Sequence, residues 1–174
     1  MPGNYTFTYT LDTNNKFTAT SMTMKDTVHP GGITRQVTFN GDGYWLTDKV
    51  AFATAQEQDS TAVRGGSTPP TACTGNTPAN SPTDALIALT DPLGRLTCQT
   101  YNASGSILTR TLLAGTANAV TYTYTYGAYG QLTSVTDPLS HTTTFGLDSF
   151  GRVTSIGGSA HTWSIAPNPN RLVR

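Results

Sequence analysis

The sequence predicts an all-β chain of tandem antiparallel hairpins, on three observations: period-two alternation, turn residues at close intervals, and a composite pattern that recurs along the chain. Alternation is clearest in the runs YTFTYT (5–10) and TYTYTY (121–126). Tyr5, Phe7 and Tyr9 would share one face and Thr6, Thr8 and Thr10 the other; Tyr122, Tyr124 and Tyr126 alternate in the same way with Thr121, Thr123 and Thr125. Branched and flat side chains suit a pleated surface. The helical period is nearly absent. Residues 50–62 (VAFATAQEQDSTA) are the best candidate for one short helix, although their apolar positions form no stripe.

Repetition carries the argument further. TDPL occurs at 90–93 and again at 136–139. A second element is an aromatic residue, three residues, a glycine, and then an apolar residue and Thr shortly after: FNGDGYWLT (39–47), YNASGSILT (101–109), YGAYGQLT (126–133) and the variant FGLDSFGRVT (145–154), with Leu147 in the aromatic's place. Gly43, Gly105, Gly130 and Gly151 would close turns of that element, and GRLT after the first TDPL supplies Gly94. In TDPL, Pro92 and Pro138 fix φ at a corner while Asp91 and Asp137 can cap local backbone donors. Each unit is then a hairpin, and successive hairpins lie side by side in one sheet.

Between the repeats lies RGGSTPPTACTGNTPANSP (64–82), rich in breakers of extended pairing and expected to be a long irregular loop. The chain divides on this basis into an N-terminal β segment (1–62), a Pro/Gly-rich insertion (63–85) and a repeat region (86–174).

These runs resemble the YD repeats of the RHS/YD family, whose pattern is an aromatic-x-Tyr-Asp pair, two spacers, Gly-Arg and apolar-Thr, often followed by Val-Thr-Asp-Pro. The resemblance spans 89–172 and, more weakly, 32–50. The ending WSIAPNPNRLV (163–173) is similar to a family variant with Gly-Asn-Arg-Leu. Asp148 matches the name-giving Asp, whereas Asn102, Gly127 and Ala166 replace it. Members are large bacterial secreted or surface proteins, toxin components and animal teneurins. The resemblance implies an open twisted sheet or part of a β-shell, a structural rather than catalytic role, and an extracellular or surface location. A chain this short would be an excerpt or a small relative, partnered by flanking repeats or by copies of itself as an oligomer or fibre through its unpaired strand edges.

Composition agrees. Asp, Glu, Lys and Arg make up 11% of the 174 residues, and ten of each sign give no formal net charge. A chain so poor in charge lacks the footprint of a nucleic-acid or anionic-membrane binder. No basic start precedes an apolar run, so no signal peptide is visible, and no apolar stretch is long enough to span a bilayer. Cys73 and Cys98 are too few for a zinc site; one disulfide and two free thiols are both open. His29, His141 and His161 are scattered without metal-ligand spacing. No enzyme, metal or cofactor is expected. The alternative function is a surface carbohydrate-binding module, in which Tyr44 and Trp45 after the GDG turn, and then Trp163, would stack on sugar rings.

Overall fold

A computed structural model describes residues 4–25, 30–51, 54–76, 81–158 and 162–164. These form one sheet of 13 strands: β1 (Asn4–Leu11), β2 (Phe17–Lys25), β3 (Ile33–Phe39), β4 (Trp45–Val50), β5 (Gln58–Arg64), β6 (Leu86–Thr90), β7 (Leu96–Tyr101), β8 (Ile107–Leu112), β9 (Val120–Tyr126), β10 (Leu132–Thr136), β11 (Thr142–Leu147), β12 (Val153–Gly157) and β13 (Thr162–Ser164). Spatial order follows chain order, and every neighbouring pair is antiparallel. The sheet is open: among the described residues, β1 and β13 each pair on one side only.

The expected helix over 50–62 is corrected. Val50 ends β4, Ala51 turns the chain with a φ of 55°, and residues 58–64 form β5, laddered on both sides. Two pairing edges outweigh the weak helical preference of an Ala- and Gln-containing stretch without an apolar stripe.

Register sorts the side chains. On β9 the tyrosines 122, 124 and 126 are half-buried while Thr121, Thr123 and Thr125 stand exposed. Threonine hydroxyls pair across strands, as in Thr38–Thr47 and Thr100–Thr109 (both 2.6 Å), Thr111–Thr121 (2.9 Å) and Thr136–Thr142 (2.9 Å). Such cross-strand contacts reinforce the ladder and fix its register.

The strand pattern repeats as a unit of four. Asn40 corresponds to Asn102, Thr54 to Thr116 and Gly65 to Gly127, each 62 positions on; Asp91 corresponds to Asp137 and Asn102 to Asp148, each 46 positions on. The backbone bonds agree. Thr54 and Glu57 donate to Ala51 and Thr54 as Thr116 and Ala119 donate to Leu113 and Thr116. The Gly65 N–H donates to Ala85 at 2.8 Å, as the Gly127 N–H donates to Gln131 at 2.8 Å. The 16-residue difference between the two spacings therefore falls at one place: residues 65–85 join β5 to β6 where five residues join β9 to β10.

That long connection folds back onto the sheet. Cys73 is bonded to Cys98 of β7, and the Asn76 side-chain amide donates to the Gln99 carbonyl at 2.6 Å. Cys73, Ala88, Cys98 and Ala114 form a buried cluster, with Val63 and Leu96 packed against it. On this face of a single-layer sheet the connection acts as a second layer, together with Ala114 of the loop after β8.

Candidate functional site

Seven connections among the described residues are one five-residue turn. The first residue's N–H donates to the fifth residue's carbonyl, and the fourth residue's N–H donates back to the first carbonyl. The turns start at Asp12, Asn40, Asp91, Asn102, Gly127, Asp137 and Asp148. In six of them the first side chain completes the turn: its Oδ1 accepts from the N–H groups of the third and fifth residues. At Asp148 these are Phe150 and Arg152, both at 2.9 Å; at Asp91 they are Leu93 and Arg95, at 3.0 and 2.9 Å. Gly127 makes the same backbone bonds without a side chain.

The Asp-Pro corner and the aromatic–glycine element, distinct in the sequence, are thus the same device. DPLGR, DPLSH, NGDGY, NASGS and DSFGR differ only in which residue tolerates each corner. The fourth position is left-handed, with φ from 73° to 86° at Gly43, Gly94, Gly105, Gly130 and Gly151, which is why glycine recurs there. Asn15 and Ser140 hold it at 61° and 67°. Pro92 and Pro138 occupy the second position, where no N–H is used.

Backbone donors pull the carboxylates down. Asp91, Asp137 and Asp148 are held below their ordinary value of 3.8, chiefly by the N–H of the fifth residue, with a side-chain bond from Arg95, His141 or Arg152 adding to it. A depressed carboxylate stabilises the fold above the unfolded value, and that stability is lost as pH falls through the folded one. The urea midpoint is therefore expected to fall between pH 5 and pH 2. Asp91→Asn, Asp137→Asn and Asp148→Asn together should flatten that fall without opening the turns, since Asn40 and Asn102 already cap in the same way. An unchanged acid limb in the triple variant would refute this.

The sugar-stacking candidates are placed apart. Tyr44 ends the Asn40 turn and is 48% exposed, and Trp45 opens β4. The Arg64 guanidinium lies over both rings, 5.5 Å and 5.7 Å from their centres, and donates to the Trp45 carbonyl. Trp163 lies on β13, nine strands away, opposite Ile156. His141 pairs through Nδ1 with Asp137 at 3.0 Å; His29 and His161 lie outside the described residues, as does Ala166. Among the described residues no cluster of three or more His, Cys, Asp or Glu is disposed to hold a metal. An open groove of about 440 Å³ runs between the first two turns, lined by Lys16, Phe17, Thr20, Phe39 and Asp42. Neither this groove nor the position of Arg64 has a local signal in the sequence, because the hairpin closes a 19-residue separation to bring Arg64 to Trp45.

Residues 128–162 match the family model for the RHS repeat, a span that takes in the Gly127 turn from its second residue, the second Asp-Pro turn and the Asp148 turn. The resemblance to the RHS repeat holds over those residues. The chain's fold is shared with larger solved structures: the crystal structure of TcdB2-TccC3-TEV superposes with a TM-score of 0.57 at 13% identity over 91% of this chain, and that of TcdB2-TccC3-Cdc42 with 0.56 at 12% over 91%. The chain spans about 8% of the length of either. No curated protein matches it. The structural likeness thus concerns the fold. No helix among the described residues is long and apolar enough to cross a membrane.

Proposed function

We propose that the chain is a non-catalytic structural module of a secreted or surface RHS-type protein, extending a β-wall by strand-edge pairing with flanking repeats or with copies of itself. The observation that carries this reading is the outer strand. Among the described residues β1 pairs with β2 alone, and Tyr5, Phe7, Tyr9 and Leu11 along it are 42–65% exposed. A long apolar edge strand with unused backbone donors and acceptors is a template for another strand. The charges that usually guard such an edge are absent from its sequence, NYTFTYTL. The short span relative to the matched structures and the buried disulfide, which suits an oxidising compartment, support the same reading.

Light scattering across a concentration series tests it. The chain is expected to grow in mass with concentration, and Phe7→Lys, at an exposed position, should shift that growth to at least about tenfold higher concentration. A chain whose mass stays that of one copy at high concentration would overturn the proposal, as would growth indifferent to Phe7→Lys.

A further inference from the structure

The third position of the repeat turn is chemically divided. In four turns it is large and apolar: Leu93, Tyr129, Leu139 and Phe150 are 77%, 88%, 76% and 81% exposed. In the other three it is Asn14, Asp42 or Ser104, and the turn closes with the same backbone bonds. Turn geometry therefore makes no demand for an apolar side chain there. Scattered apolar residues on a surface need no explanation, but four at one turn position, all in the second half of the chain and nearly fully in solvent, do.

Because the sheet is a meander, the tips fall on two rims. Tyr129 and Phe150 lie on one, in neighbouring hairpins that touch: a Cβ on Gly151 would meet Gln131 Nε2 at 2.8 Å. Leu93 and Leu139 lie on the other, in corresponding turns of successive four-strand units. One hairpin advances a rim by about 10 Å, so the apolar tips stand about 10 Å apart on the first rim and about 19 Å apart on the second. The charges beside them are held within each turn: Arg95 pairs with Asp91 and Arg152 with Asp148, the His141 Nδ1 lies 3.0 Å from Asp137 Oδ2, and Arg152 also lies over the Phe150 ring at 5.3 Å.

The geometry points to these rims as a second interface, distinct from the strand edge, whose partner is the corresponding rim of another copy of this chain. A partner must present apolar groups at the same interval and tolerate internally paired charges, and a like rim turned about a two-fold axis does both: Tyr129 meets Phe150, Phe150 meets Tyr129, and Leu93 meets Leu139. The strand edge extends the sheet sideways, whereas the rims join one sheet to the next end to end.

The test replaces all four tips by the residue that position 14 shows to be compatible with the turn: Leu93→Asn, Tyr129→Asn, Leu139→Asn and Phe150→Asn. Mass is followed by light scattering against concentration, alone and combined with Phe7→Lys, with circular dichroism confirming the sheet. The four-Asn chain is expected to associate at least about fivefold more weakly than its parent in both backgrounds, and the combined variant to remain a single copy. Association unchanged by the four substitutions in both backgrounds overturns the rim interface while leaving edge pairing standing. Association abolished by them but indifferent to Phe7→Lys supports the rims and removes the edge reading. A parent chain that does not associate overturns both.

Discussion

Removing the bond between Cys73 and Cys98, as Cys73→Ala with Cys98→Ala or by reduction, is expected to lower stability by roughly 3 kcal/mol. The bond joins residues 25 positions apart, so in the chain-entropy account it restrains a sizeable loop in the unfolded state. Its native surroundings add to the loss. Both cysteines are almost wholly buried, and with Ala88 and Ala114 they form the cluster through which Cys73 seats the connection on the sheet. Without the bond, the connection keeps the Asn76 bond to Gln99 and the closing bond of Gly65 to Ala85. Urea unfolding of oxidised and bond-free chains measures the difference, and hydrogen exchange locates it. Protection should fall first around Leu96–Tyr101 and the 113–119 loop rather than around β9 to β12. A loss under about 1 kcal/mol, with exchange unchanged in β7, would mean that the connection is held by its other contacts.

The fold was legible because its signals are local. Alternation in 121–126 assigns faces residue by residue, and Asp-Pro or Asx-to-glycine spacing encodes a turn whose hydrogen bonds close within five residues. The same locality hid the identity of the two turn elements. DPLGR and NASGS share the first and fourth residues in chemistry, yet the proline drew attention to the second position, which makes no bond in either. Long-range features left no such trace. Residues 50–62 read as a helix candidate because their strand character comes from neighbours on both sides, Thr47–Val50 and Leu86–Thr90, rather than from their own pattern. The Cys73–Cys98 pairing stays open in the sequence because spacing alone does not say that Cys73 and Asn76 return to β7. The place of Arg64 over Tyr44 and Trp45 depends on strand register, which the Tyr-Trp pair alone does not reveal.

The four-strand duplication makes a sharper prediction at the root of the insertion. Gly65 and Gly127 are equivalent corners, each donating its N–H across the connection that follows. Their surroundings differ. A Cβ on Gly127 would meet Gln131 Oε1 at 3.4 Å and Thr133 Cγ2 at 3.5 Å, flexible or ordinary neighbours. A Cβ on Gly65 would overlap the carbonyl of Pro82, because the returning end of the 65–85 connection passes directly against the backbone there. Backbone has no rotamer with which to give way, so Gly65→Ala must displace the connection or the end of β5. The expected losses are about 2–3 kcal/mol for Gly65→Ala and under about 0.5 kcal/mol for Gly127→Ala, read from urea midpoints of the oxidised chain. Gly65→Ala should also raise exchange in Val63 and Ala85, on either side of the strained corner. Equal losses at the two glycines would mean that the insertion does not press on its own root. The glycine at 65 would then be a relic of the short five-residue turn rather than a condition for the long one.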